Sequence, residues 1–194
     1  KVSTASNHTI VFRTPTGANQ SSDTITITLP SGFTTNSFDF ADIDLAHSAG
    51  SQSSCTSASY TNEETLAGSP SATAWGAALS SQVLTLTAPS DGVGTAAIAT
   101  DACVEIQIGT NATTGATGDT QITNNSSAAS YTIAVGGTFG DSGDIVINTL
   151  TDDQVSVSAT VDESLTFTIS DNSIGFGTLS ASDDKSGLKE TRWT

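Results

Sequence analysis

One short motif has the residue types needed for hydrolytic chemistry. Residues 140–143 read GDSG, the sequence of a serine-nucleophile loop, and His47 is a conceivable base. A catalytic triad also needs a buried Asp that orients the His. Gly, Asp and Ser between two strand-like runs are typical of a tight turn. We therefore predict a turn at this position and no catalytic residues.

Clustered carboxylates are the candidates for binding calcium, which takes six to eight oxygen ligands. Asp42 and Asp44 have the same parity along the run FDFADIDL and could chelate one ion together. Other acids that could contribute are Asp39, Asp141, Asp144, Asp152 and Asp153. No EF-hand loop or nonapeptide calcium repeat is present. The alternative is that these acids are solvated turn residues, so we predict no cofactor, with calcium as the only candidate ion.

Glycosidase chemistry needs paired carboxylates in a cleft and usually aromatic platforms for the sugar. Aromatic residues make up only 6% of the chain and there are two Trp. Trp75, flanked by Ala and Gly, is predicted to pack in the core or beside a disulfide. We therefore predict that the protein is not an enzyme.

The two cysteines, Cys55 and Cys103, are predicted to form one disulfide, with two free thiols as the alternative. Val104, Ile106 and Ile108 share one face of a predicted strand, so Cys103 should point away from the core. A bridge to Cys55 would hold the polar loop over residues 48–73 on the outer face of that strand. Disulfides persist in oxidising compartments, and the chain begins without Met. Both features favour an exported chain from which a leader was removed.

Two kinds of covalent modification can be assessed from the sequence: N-glycosylation and Lys–Asn isopeptide bonds. N-glycosylation sequons occur at Asn7, Asn19, Asn111, Asn124 and Asn125. An intramolecular Lys–Asn isopeptide bond needs a core Lys, and all three Lys lie near the termini. Such a bond is therefore excluded within the body of the protein, although not between subunits.

The composition excludes whole classes of function. Twenty Asp and Glu stand against five Lys and Arg, a net charge of −15. Nucleic-acid binders and peripheral membrane proteins need basic residues, and no stretch reaches the roughly 18 apolar residues of a membrane span. Residues 1–184 carry 19 acids and two cations, a net of −17, whereas residues 185–194 carry +2. This basic tail could steer contact between subunits, or it is an ordinary disordered end.

The elements that must position these residues are short strands separated by Gly, Pro and Asp turns. In TITITL, apolar Ile25, Ile27 and Leu29 alternate with Thr, the pattern of a strand with one solvated face. Strand-like runs are predicted at 8–13, 23–29, 37–45, 73–79, 82–88, 94–99, 103–109, 130–136, 144–149, 155–169 and 174–179. This pattern predicts an all-β, antiparallel Ig-like β-sandwich over residues 1–150, although the Cys and Trp spacing of immunoglobulins is absent.

The segment over residues 151–194 is predicted to contain an unusually long strand. Its apolar residues of one parity are Val155, Val157, Ala159, Val161, Leu165, Phe167 and Ile169. Fifteen extended residues span about 50 Å, far more than a usual strand. The segment therefore either begins a second β-domain or inserts as a donor strand into a neighbouring molecule. The predicted donor side chains are Val155, Val157, Val161, Leu165, Phe167 and Ile169.

Several runs together carry a resemblance to a known group of proteins. They include SNHTIVFRTPTG, SSDTITITLPSGF, WGAALSSQVLTLTAP, SYTIAVGGTFGDSGDIVI and VSVSATVDESLTFTISDNSIGFGTLS. In order and spacing the chain resembles secreted Ig-like surface proteins of uncultured bacteria, over roughly residues 5–182. The resemblance implies a cell-surface β-sandwich and no mechanism. The resemblance implies that the LTFTIS and IGFGTL strands open a further β-domain, so the end at Thr194 departs from the pattern and suggests a processed or partial chain.

Together these features predict a structural subunit of an extracellular filament or surface layer, pilus-like, on the cell surface. Copies of the chain would join by β-strand addition, in which an extended segment completes a neighbour's sheet. The alternative is a surface adhesin that binds glycan or protein through the 48–73 loop. The predicted partners are copies of the chain itself, with a host or neighbouring-cell surface as a further candidate, and no nucleic acid or membrane span.

Overall fold

The computed structural model describes residues 1–35, 37–91, 97–152 and 154. These residues form β-strands and one short 3₁₀ helix, Phe40–Asp42. The strands are β1 (Ala5–Ser6), β2 (His8–Thr14), β3 (Thr24–Thr28), β4 (Ile43–His47), β5 (Asn62–Glu63), β6 (Leu66–Ala67), β7 (Trp75–Ser80), β8 (Val83–Thr87), β9 (Ala102–Ile108), β10 (Ile122–Thr123), β11 (Ala129–Gly136) and β12 (Gly143–Thr149). The predicted all-β class is confirmed. Within the described ranges, no helix is long and apolar enough to cross a membrane.

Two larger sheets form a sandwich. One has six strands in the order β12-β11-β3-β8-β7-β6, and the other has four in the order β2-β9-β4-β5. Their strand pairs are antiparallel except for the short parallel pair β6–β7. A separate two-stranded pair joins β1 to β10.

The core lies between the two sheets, where the alternating residues of both meet. Ile25 and Ile27 from β3 are fully buried, as are Val104 and Ile106 from β9. Because successive strand residues point to opposite faces, the Thr residues that alternate with Ile25 and Ile27 face outward. Trp75 is completely buried in the same core cluster, in agreement with the prediction that it packs in the core.

The strand predicted over residues 37–45 begins only at Ile43. Before it, Phe40–Asp42 form the 3₁₀ helix, and Asp39 and Asp42 form a reciprocal capping box at its start. The Asp39 side chain accepts a hydrogen bond from the N–H of Ala41, and the Asp42 side chain accepts one from the N–H of Asp39. Acidic side chains that cap the main chain favour a helix start over an extended strand.

The disulfide predicted between Cys55 and Cys103 is formed. Cys103 is completely buried but does not belong to the core cluster, which takes Ala102 and Val104 from the same strand. Its side chain is therefore covered from the outer face of the sheet, where Cys55 lies. The disulfide fits an oxidising compartment.

The compact unit that carries this fold spans Lys1–Gln154, close to the predicted boundary at 150. The remaining unit is Val155–Thr194. All the predicted donor-strand side chains, from Val155 to Ile169, lie outside the described residues.

Candidate functional site

The GDSG motif occupies the turn between β11 and β12, as predicted. Its Asp141 accepts hydrogen bonds from the Thr14 hydroxyl at 2.6 Å, from the Thr16 N–H at 2.9 Å and from the Thr16 hydroxyl at 2.9 Å. Burial acts to raise the pKa of Asp141, but these three hydrogen bonds outweigh it and hold the pKa below its ordinary value. Asp141 therefore ties this turn to the end of β2.

His47 is buried and has both ring nitrogens in contact with other groups. Nδ1 lies 3.0 Å from the carbonyl oxygen of Ser48, and Nε2 lies 3.0 Å from Oε1 of Glu64. A carbonyl can only accept, so Nδ1 carries a proton. The ring holds Glu64 against β4, and none of the GDSG residues is among its hydrogen-bond partners.

The calcium candidates Asp42 and Asp44 are buried and bind the main chain. Oδ1 of Asp42 accepts from the N–H groups of Asp119 and Thr120, both at 2.8 Å. Oδ2 of Asp44 accepts from the N–H groups of Thr113 and Thr114, at 2.6 and 2.9 Å. The two carboxylates thus hold the loop between β9 and β10. An ion at either position would compete with these hydrogen bonds.

A small polar cavity lies beside Asp44. It has a volume of about 160 Å³, and Glu63 and Glu105 also line it. Burial, followed by the nearby charges of Asp44 and Glu105, raises the pKa of Glu63. In the part of the chain that the structure describes, no group of three or more His, Cys, Asp or Glu is arranged to hold a metal ion.

The five glycosylation candidates differ in how their side-chain amides are used. The amide nitrogens of Asn7, Asn111, Asn124 and Asn125 donate to Thr110, to His8 and Thr9, to Lys1 and to Ser31, respectively. Asn19 is used only as an acceptor, from Gln20. Four of the sequon side chains therefore have structural contacts that a glycan on the amide nitrogen would alter.

The sandwich has two lateral sides, and one of them is closed by the chain itself. β5 belongs to the four-stranded sheet and β6 to the six-stranded sheet, and only Glu64 and Thr65 separate them. The N–H of Glu64 donates to Leu45, and Thr65 accepts from Trp75, so this crossing is bonded to both sheets. The His47–Glu64 contact strengthens the same closure.

The opposite lateral side, between β2 and β12, is open in the described structure. Among the described strands, β2 pairs with β9 alone, and β12 pairs with β11 alone. Beyond these pairings, the main-chain N–H and C=O groups of β12 have no hydrogen-bond partner among the described residues. We call the space between β2 and β12 the lateral groove.

A partly open pocket with apolar and polar walls lies at one end of the lateral groove. Its volume is about 410 Å³, and its apolar walls come from Phe12, Val135, Phe139 and Ile145. The rings of Phe12 and Phe139 pack with their centroids 6.3 Å apart. Asp141 also lines this pocket, so the tie between the β11–β12 turn and β2 closes this end of the groove.

The other end of the groove lies near the N-terminal residues. The N–H of Val2 donates to the carbonyl of Leu150, and the N–H of Ser3 donates to Asn125. On β12 itself, Ile145 and Ile147 are half-buried on the groove side, whereas Val146 faces outward and is 64% exposed. Apolar residues of β12 thus lie along this side of the groove.

The sequence alone did not identify the residues that line the lateral groove. Phe12 and Ile145 belong to predicted strands, but nothing in a periodic pattern shows that their two strands lie at the same side of the sandwich. The one available signal was the GDSG turn, which places a chain reversal beside Phe139.

Comparison of the chain with protein-family models, curated proteins and solved structures gives no match.

Proposed function

We propose that this protein is a structural subunit of an extracellular filament or surface layer, and that copies join by β-strand addition at the lateral groove. The observation that carries the proposal is the difference between the two lateral sides of the sandwich. One side is closed by the β5–β6 crossing, whereas the other, within the described residues, leaves main-chain groups of β12 without partners beside apolar side chains. Strand addition uses such a site, because the main chain supplies hydrogen bonds and the pockets select alternate side chains.

An open sheet edge normally carries protection against uncontrolled pairing, such as Lys, Pro or a bulge. β12 has the sequence GDIVINT, which contains neither Lys nor Pro and carries one charged residue, Asp144, near its start. Val146 on this strand and Leu150 just after it are 64% and 54% exposed. An edge with so little protection is consistent with a strand that is paired in the assembled state.

The proposed occupant is the segment over residues 155–169 of another copy. It is separated from β12 by five residues and, except at Glu163, alternates apolar with polar residues, as an inserted strand requires. A contact between a groove on one copy and a segment from the next copy is heterologous, and such contacts propagate into open fibres. Export agrees with the disulfide, and cell-surface attachment is part of the same proposal.

Two matched substitutions on β12 test this proposal. Ile145→Lys places an ammonium at the mouth of the lateral groove while its aliphatic stem keeps the existing packing. Val146→Lys adds the same charge to the next residue, which faces away from the groove. We expect wild type and Val146→Lys to form ordered assemblies in electron microscopy and Ile145→Lys to remain monomeric, with similar thermal unfolding of all three.

A mixing experiment adds a second readout. A variant with Leu165→Lys and Phe167→Lys should lack a functional donor segment but keep its groove. Mixed with Ile145→Lys, it should yield dimers that do not grow, since only one interface of each pair can form. If the wild-type chain is monomeric at every concentration, the assembly proposal is wrong, and a monomeric adhesin becomes the better hypothesis.

A further inference from the structure

The pocket of the lateral groove specifies which side chain an incoming strand must place there. We infer that this pocket receives Phe167 of a second copy, whose segment runs antiparallel to β12; this inference depends on the proposed function. The pocket has a volume of about 410 Å³; Phe12, Val135, Phe139 and Ile145 form its apolar side, and Arg13, Asp141, Ser142 and Asp144 form its polar rim. A large apolar side chain is needed to fill a space of this size.

Phe167 is the largest of the alternating apolar residues between 155 and 169. Aromatic side chains bury the most surface and pack favourably against other rings at tilted angles. Phe12 and Phe139 already pack in this manner at the pocket. A third ring from Phe167 would extend that aromatic cluster.

The direction of the inserted strand follows from the direction of β12 along the groove. β12 runs away from the Asp141 end, since it begins at Gly143 beside the turn and ends at Thr149. A strand antiparallel to β12 therefore runs towards Asp141 and brings the C-terminal part of the segment, around Phe167, to the pocket. With Phe167 opposite Ile145, residue 163 pairs with Thr149 at the opposite end of β12, and the residues before it lead back to the copy that donates them.

The same chain folding back on its own β12 would not fill the pocket. A short hairpin loop over residues 150–154 would pair residue 155 with Thr149 and would place Ala159 opposite Ile145. Ala is too small to replace an aromatic ring there. In addition, the carbonyl of Leu150 accepts from the N–H of Val2, so the chain at this point is already bonded to the N-terminal segment.

Cysteine pairs in the full-length chain distinguish these arrangements. Ser142 is exposed and lines the pocket, so Ser142→Cys with Phe167→Cys should form disulfides between copies. On a non-reducing gel we expect a ladder of dimers, trimers and larger species that collapses on reduction. Ser142→Cys with Ala159→Cys is the matched pair that would cross-link within one chain if the segment folded back.

Single substitutions give a second measurement. Phe167→Ala should raise the critical concentration for assembly at least about tenfold, since a buried aromatic ring is lost from the interface. Phe167→Leu should have a critical concentration close to that of wild type. Phe176 lies beyond residue 169, so Phe176→Ala should assemble like wild type. An intramolecular cross-link, or assembly unchanged by Phe167→Ala, would overturn this inference while leaving assembly itself intact. Absence of any wild-type assembly would instead refute the proposed function.

Discussion

Buried carboxylates in this protein act as acceptors for main-chain N–H groups. Asp42 binds three of them, from Asp39, Asp119 and Thr120, and Asp44 binds two more from the loop between β9 and β10. A buried acid is stable only when its oxygens are satisfied, and here the loop itself supplies the donors. The spacing Asp-x-Asp that suggested a calcium site is explained by this loop attachment.

Asp42→Asn should therefore destabilise the fold. An amide has only one oxygen, so the NH₂ group of the substituted side chain would face one of the three N–H donors. We expect the free energy of unfolding to fall by about 1–3 kcal/mol. The measurement is urea unfolding, with Asp91→Asn, an exposed acid, as the control that should change stability by less than about 0.5 kcal/mol. We expect the wild-type midpoint to be the same in calcium and in a chelator. A calcium-dependent rise that Asp42→Asn abolishes would show that an ion binds there.

At the scale of elements, Asp141 joins the β11–β12 turn to β2 and sets the closed end of the lateral groove. The folded-state pKa of Asp141 is lowered by its Thr14 and Thr16 hydrogen bonds against the opposing effect of burial. A lowered folded pKa means that its stabilisation is complete above the unfolded-state pKa of about 4 and is lost as the pH falls through the folded value.

Asp141→Asn should thus lower stability at neutral pH by about 1–2 kcal/mol, and the difference from wild type should shrink as the pH falls below about 4. Chemical unfolding at a series of pH values measures this difference. Asp144→Asn, in the exposed position after the same turn, is the control. A difference that stays constant down to acidic pH would mean that the Asp141 carboxylate does not act through its charge.

The longer strands were predictable because alternation of apolar and polar residues has a period that a single sequence reveals. β3, β8, β9 and β12 all lie within a residue or two of their predicted bounds. The two-residue strands β1, β5, β6 and β10 were not predicted, since two residues have no period and their pairing is set by tertiary contacts. For the same reason the β5–β6 closure and the lateral groove were invisible, because each joins segments that are distant in sequence.

At the scale of the whole molecule, charge opposes association. Residues 1–184 carry −17 and the last ten residues carry +2. Two such bodies repel each other over distances of a Debye length, about 30 Å at 0.01 M salt and about 8 Å at 0.15 M. The basic tail is too small to reverse this repulsion at long range, but it can attract an acidic neighbour once the two are close.

Assembly should consequently be slower at about 0.01 M than at about 0.15 M salt, because screening weakens the repulsion more than it weakens a short-range contact. Light scattering of the full-length chain measures the rate. Lys189→Gln should slow assembly at low salt more than Lys1→Gln, which removes one positive charge from the other end of the chain. The two variants should converge as salt rises, since screening removes the attraction of the tail. Equal effects of the two substitutions would mean that only net charge affects the rate of assembly. Faster assembly of the wild type at low salt would mean that attraction between tail and body outweighs the repulsion between bodies.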